Sequence, residues 1–428
     1  MLLLLCQVAG ATEEARKDSL EQKGKGTISS TLSRANPLAA TEQTVEVVRW
    51  MSKRRQLTLG GVPYGFTGLP VLYFSPNTGW NYGIRVHWVD YSQGHRPYRY
   101  KMTSYVLGST KGSFNFTYKL KVPHISGTGF GLRLLTKMKK DLRARYYGRG
   151  NNSEYNRGYI DPDSPDFKDE NYYFYVLEIP RFIFSLLREI RGPVSASMGI
   201  GLERTDIKKR GERAFYIDEG TPDGITDGVT GFFSFTLQWD SRNDDTVVQQ
   251  GVFHEWSYEN SRNSLIGLFF EEIDFSRYTF TDSRYYPLAE RLLLANRMVF
   301  ETLMGSVPLY AYGEIGGSQR IKGLGGSDSL RGYDKQRFTD NVRFFSNTEM
   351  RYQLRRMRLF KQHLEWHGVG FVDSGRVWPS LDEVSPGGLH WTAGVGVRLI
   401  WNSDFVIRMD IGFSDERKDM VLKYRKLF

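Results

Sequence analysis

Trp391 to Trp401 reads WTAGVGVRLIW and changes character at each residue as far as Leu399. Ala393, Val395, Val397, Leu399 and Trp401 fall on one face of an extended chain, while Thr392, Gly394, Gly396 and Arg398 fall on the other. Phe405, Ile407, Met409, Ile411 and Phe413 repeat the device, opposed by Arg408, Asp410 and Gly412. One face is apolar and the other is small or charged. In a soluble sandwich such apolar faces meet each other; in a membrane barrel they meet lipid, and the small or charged faces line a lumen.

The same period of two runs back to Leu69. Its segments lie at about 69–75, 80–91, 98–109, 112–122, 129–146, 172–188, 193–207, 230–240, 250–258, 264–280, 289–304, 341–357, 361–378, 389–402, 404–414 and 418–428. Sixteen strands is an even number, and it predicts an all-β, sixteen-stranded antiparallel transmembrane β-barrel over 69–428. Tight connections such as Asn402-Ser403 alternate with long ones such as Gly148 to Glu170 and Lys208 to Thr230, which places short turns at the periplasmic end and long loops outside.

Composition agrees with strands. Aromatics make up 14% of the 428 residues, glycine is abundant at 44, and proline is sparse at 15. Mean hydropathy is −0.45, which averaging over an alternating barrel explains as well as solubility does. No apolar run after the first few positions is long enough for a transmembrane helix. The net charge of +10 is spread over many segments, with no basic cluster on a recognition motif, so a solvated rim and lumen is the reading and nucleic acid is not expected as a partner.

Before the barrel, MLLLLCQVAGA at 1–11 resembles a short signal segment ending in small residues, and residues 12–68 read as a polar linker. Val47, Trp50 and Met51 fall at helical spacing within it and predict one short amphipathic helix. There is no room here for a folded periplasmic domain of ordinary size. Cys6 is the single cysteine, which leaves no disulfide within the chain and no thiol set for zinc.

A segment of different character, GLGGSDSLRGYDKQRF, occupies Gly323 to Phe338 inside a connection of more than thirty residues. Gly325 and Gly326 permit positive φ, and Ser327 and Asp328 can bond their own backbone, so the stretch predicts an ordered, folded-in loop with Arg331 at its tip. Asn347-Thr348-Glu349 follows on the next strand, then Phe371-Val372-Asp373-Ser374-Gly375. Alternation places Glu349 on one face with Asn347, Arg351 and Gln353, and Asp373 with Phe371 and His367, so both acids face the lumen. A planar guanidinium between two such carboxylates would receive bidentate, charge-assisted bonds and hold the loop against the wall.

With Ser329-Leu330-Arg331-Gly332-Tyr333, the F-x-D-x-G pattern of Phe371, Asp373 and Gly375, Trp239-Asp240-Ser241-Arg242 ahead of Gly251, the Gly394 to Arg398 strand and Phe428, the chain from about Leu69 resembles the BamA and TamA superfamily of outer-membrane barrels. That superfamily also includes the two-partner-secretion transporters. The resemblance implies an inward-folded loop carrying an arginine-glycine-aromatic motif and a barrel in the bacterial outer membrane. It further implies a role in insertion or translocation of polypeptides or lipids, with outer-membrane lipid and client chains as partners. Amino-terminal periplasmic domains are usual there, so a separate periplasmic partner protein, or a passive or gated pore for small solutes, are the alternatives.

The seam where the first and last strands meet is the second expected site. Pro70 lacks an amide hydrogen near the start of a short first strand, predicting thin pairing with Met420 to Phe428 and a seam able to open sideways. Met420, Leu422, Tyr424 and Phe428 share a face, which puts the terminal aromatic outward. Other chemistry is not signalled. His363 and His367 sit about 13 Å apart on a strand, too far to share a metal, and no nucleophile elbow, phosphate loop or cofactor fingerprint occurs, so neither a cofactor nor catalysis is expected. Tyr146-Tyr147 and Tyr172-Tyr173 read as interfacial belts.

Overall fold

The computed structural model describes residues 56–428 apart from 76–77, 93–97, 127, 222–226, 245–246, 262–272, 360–361, 402–404 and 424–426. The signal-like run, the helix around Val47, Trp50 and Met51, and Tyr424 lie outside the described residues.

The chain opens with β1 (Gln56–Leu59), β2 (Val62–Ser75), β3 (Gly79–Asp90), β4 (Tyr100–Ser109), β5 (Phe114–Val122) and β6 (Gly131–Arg145). It continues through β7 (Phe174–Arg191), β8 (Val194–Lys209), β9 (Gly228–Asp240), β10 (Gly251–Asn260), β11 (Phe275–Ala289) and β12 (Leu292–Gly305). A small hairpin, β13 (Glu314–Ile315) with β14 (Ile321–Lys322), interrupts the series. Then come β15 (Val342–Leu359), β16 (Gln362–Trp378), β17 (His390–Trp401), β18 (Phe405–Phe413) and β19 (Lys418–Lys423). Every strand pairs antiparallel with the next, and β12 pairs directly with β15 across the long loop. Leaving out the hairpin, one 17-stranded sheet results, made of β1 and sixteen barrel strands.

The sheet curls into a barrel. Asp334 receives bonds from both Arg145 on β6 and Arg417 beyond β18, and Arg157 donates to the Glu416 carbonyl at 2.9 Å, contacts that bring early and late strands to one place. Its polarity is inverted relative to a soluble protein. Val395, Trp391 and Met420 are 59%, 58% and 67% exposed, whereas Arg277, Arg297, Glu301, Arg343, Arg408 and Asp410 are buried inside. Lipid supplies the missing apolar contact on the outer face, and the lumen's charges are buried against each other and against the loop.

Several sequence expectations are corrected. The first barrel strand starts at Val62, not Leu69, so the linker ends earlier; Gly65 and Pro70 weaken its alternation enough to hide it. The tenth strand expected at 264–280 is β11 at Phe275–Ala289. Residues 264–272 of the expected segment lie outside the described residues, and Pro287 reads as a stop. It is accommodated instead at a register shift between Pro287 and Ala289. The first barrel strand is 14 residues long, not the short strand of 69–75 expected at the seam. Pro70 lies in mid-β2 opposite Ile84 of β3, and Tyr64 and Gly65 pair with β3 on one edge and β1 on the other.

Tyr147, Tyr172 and Tyr173 do not form a lipid belt. They pack with Tyr155, Tyr159 and Phe215 in a buried cluster at the long-loop end. Gly150 donates to the Thr339 carbonyl at 2.9 Å, and Asn151 to the Gly388 carbonyl at 2.9 Å, which ties this cluster to two other loops as a cap over the lumen. Alternation could not separate a tyrosine at the lipid interface from one in a loop core, since both environments suit a ring with a polar tip.

Candidate functional site

The loop from Ser306 to Asn341 enters the barrel and crosses it. Its Arg331 is 0% exposed, as are Glu349, Asp373 and Asp410 around it. Arg331 Nε donates to Asp373 Oδ2 at 2.8 Å and Nη2 to Oδ1 at 2.7 Å, a bidentate fork, while the Arg331 backbone amide adds a third bond to Oδ2 at 3.1 Å. Nη1 donates to Glu349 Oε1 at 2.5 Å and to Asp410 Oδ2 at 3.3 Å. The flat side of the guanidinium covers the Phe371 ring, 3.5 Å from its centroid. Burial alone would lower the Arg331 pKa, but Asp373 and Glu349 more than reverse this and hold it above its ordinary value.

Strand register explains why these groups converge. Asn347 is opposite Asp373, Glu349 opposite Phe371, and Asp373 opposite Thr392, so β15, β16 and β17 present them side by side on the inner face. Gly394 is opposite both Phe371 and Gly412, which leaves a flat bed for the ring and for the loop backbone above it. Gly332 has φ +119°, and a Cβ there would stand 3.0 Å from the Phe413 carbonyl carbon. From the other side, a Cβ on Gly412 would fall on the Arg331 carbonyl. At Gly375 a Cβ would meet Leu324 of the loop at 3.0 Å. Tyr333 OH donates to Asp415 at 2.5 Å, and its ring packs edge-on against Phe338 at 5.1 Å.

The structure therefore brings together Arg331, Gly332, Tyr333, Glu349, Phe371, Asp373 and Gly375. It also recruits residues that the motifs did not nominate. Arg398 bonds Glu349 at 2.9 Å and also Asp410, Arg351 bonds Glu349 at 2.7 Å, and Arg408 reaches the Ser327 carbonyl at 2.7 Å. Alternation had already put Arg398, Arg408 and Asp410 on the inner face; their mutual distances needed the register. Because Gly412→Val changes no charge, it isolates steric docking. We expect the extra methyls to push the Arg331 backbone off β18 at a cost of about 1–3 kcal/mol, read as faster protease cleavage of the loop in a barrel that still shows heat-shifted gel mobility.

A second anchorage lies across the lumen. Glu314 of β13 accepts from Arg181 on β7 and from Lys137 on β6, the latter at 3.4 Å. Gly316 donates to Glu301 at 2.5 Å, Ser318 to Glu255 at 2.8 Å, and Arg277 to the Ala311 carbonyl at 2.8 Å. Thus one part of the loop holds β6, β7 and β10 to β12, and the other holds β15, β16 and β18.

Pro70 and Phe428 do not come together at a seam site. Phe428 is 1% exposed, directed into the lumen, against the outward position expected from its parity with Met420. Leu427 and Phe428 lie outside any strand, so parity counted along a continuous strand does not reach residue 428.

The Omp85 superfamily domain matches residues 73–421. The fold is similar to that of BamA from Haemophilus ducreyi lacking POTRA domains 1-3, with 11% identity, a TM-score of 0.50, and coverage of 90% of this chain and 77% of that one. It is similar also to CdiB from Escherichia coli, at 12% identity and TM-score 0.52, covering 86% of this chain and 63% of that one, so the chain spans under two thirds of CdiB. No curated protein matches the sequence.

Proposed function

Because this chain belongs to the Omp85 superfamily and is a barrel of the bacterial outer membrane, we propose that it inserts polypeptides into that membrane or moves polypeptides or lipids across it. The observation that carries the reading is the loop itself, fixed to opposite walls of the lumen by buried ion pairs around Arg331 and Glu314. A passive, open channel for small solutes would not need a loop anchored at two walls. A transporter would: charge-assisted anchors at two walls can be exchanged one at a time, so the loop can yield to a client without leaving an open hole in the membrane.

The seam supports the same reading. A seam between first and last barrel strands that opens sideways would let a client strand add to the edge by β-augmentation. Arg331 with Glu349 and Asp373 is then the group that keeps the loop docked at rest, and no catalytic step is assigned to any of them. The client and any periplasmic partner protein would engage the short-turn end.

The test uses a photoreactive residue in place of Met420, on the lipid-facing side of β19. In intact cells it should crosslink to a polypeptide in transit, beyond the adducts with bilayer lipid that any outward-facing position gives. An absence of polypeptide adducts, combined with a wild-type protein that passes ions freely in planar bilayers, would assign the chain to the solute-pore reading.

A further inference from the structure

Phe428 lies in a seat built by other strands. Val248, Tyr285, Ala295 and Leu293 surround Leu427 and Phe428, and the Tyr285 ring stands 6.0 Å from that of Phe428. Tyr285 is opposite Ala295 near the tight turn between β11 and β12, which locates the seat at the short-turn mouth of the lumen. Two cations complete it. Arg297 and Arg351 have their guanidinium carbons 5.0 and 5.1 Å from the Phe428 centroid.

Arg297 does more than cover the ring. Its Nη1 donates to the Leu427 carbonyl at 3.2 Å, its Nη2 donates to the Asp328 carbonyl of the loop at 2.6 Å, and Nε and Nη2 both reach Asn347 Oδ1, at 3.2 and 2.6 Å. Asn347 in turn donates to Asp373 at 2.8 Å and to the Ser329 carbonyl at 2.5 Å. Arg351 bonds Glu349 at 2.7 Å. Each arginine therefore touches Phe428 with one part and the Arg331 cluster or its loop with another.

We propose that Tyr285, Ala295, Arg297 and Arg351 form an aromatic-residue site at the short-turn mouth, which Phe428 fills from within the chain, and that filling it tightens the docking of the Arg331 loop. The physical link is Arg297. A guanidinium has few ways to keep its donors to Asp328, Asn347 and Leu427 satisfied at once, and the rings of Phe345 and Phe428, at 5.1 and 5.0 Å, define the slot that holds it. When Phe428 leaves, one side of that slot is lost and the Leu427 acceptor with it. The loop carbonyl at Asp328 is then held by a freer side chain. An aromatic side chain of another polypeptide entering this mouth would meet the same two cations and the same Tyr285 face, so the site is one that a client and Phe428 would compete for.

The experiment needs no client, so it stands or falls separately from the transport reading. Ser327→Cys, beside Asp328, is introduced into the full chain with Cys6→Ser, and the rate of maleimide labelling is measured in detergent on protein with heat-shifted mobility. Phe428→Ala should speed labelling ~10-fold, in the range of ordinary coupling between sites, and Phe428→Tyr should return it to the starting rate. An unchanged rate in Phe428→Ala overturns the coupling, and an equally fast Phe428→Tyr overturns the role of the ring. Should Phe428→Ala not be recovered folded, Tyr285→Ala empties one wall of the seat with Phe428 present; faster labelling there supports the site and an unchanged rate overturns it.

Discussion

Arg331→Ala should undock the loop, and the reason is specific to one of its three acids. Glu349 keeps Arg398 and Arg351, and Asp410 keeps Arg398, whereas Asp373 loses both guanidinium bonds and retains only neutral donors, the backbone amide of residue 331, the Asn347 amide and the Thr392 hydroxyl. A carboxylate that is 0% exposed and has lost its hydrogen-bonded guanidinium is the costly product of the substitution. Removing one member of a buried pair costs about 3–5 kcal/mol, which exceeds what most single loop contacts supply. The readout is proteolysis of the loop in intact cells, at Arg337 or Lys335, while the barrel keeps its heat-shifted mobility. Adding Asp373→Asn to Arg331→Ala should recover a good part of the loss, because the amide removes the stranded charge at nearly constant shape. A double variant no better than the single one would mean that the burial of Asp373 is not what the arginine offsets.

Asp373→Arg is expected to act in the opposite electrostatic sense and as strongly. It replaces the acceptor of the bidentate fork by a second guanidinium facing Arg331, next to the Asn347 amide donor and below Arg297. Glu349 and Asp410 already serve Arg398, so they cannot neutralise a further cation in the same volume. The loop should leave the wall, with rapid cleavage and loss of transport activity. Reversing the pair with Arg331→Asp should not restore docking, since the aspartate is too short to span β15, β16 and β18 and cannot cover Phe371. Unchanged protection of the loop in Asp373→Arg would remove the lock from the account of how this protein works.

The Gly412→Val and Arg331→Ala variants probe the same docking by different physics. One inserts volume at the loop backbone and the other removes charge at its tip, so agreement between them locates the effect in docking itself.

Much of this was legible in residue order. A strand has a side-chain period of two, and a barrel wall has only two environments, so composition at odd and even positions assigns lipid face and lumen face directly. Alternation thereby assigns Glu349, Asp373, Arg398, Arg408 and Asp410 to the inner face, and the Ser329 to Tyr333 motif singles out Arg331. Where alternation is interrupted it misleads, as at Pro287. Parity says which face a residue occupies and nothing about the neighbour beside it.

Sequence alone thus determined the all-β barrel class, the inward faces and the arginine loop, because each is written within one strand or one turn. Tertiary structure alone decided which acids Arg331 shares, that the same loop is anchored a second time through Glu314, that the tyrosines form a cap, and that Phe428 turns inward beneath Arg297. Those facts depend on register between strands and on chain segments hundreds of residues apart meeting inside a closed wall, and neither is encoded in any local period.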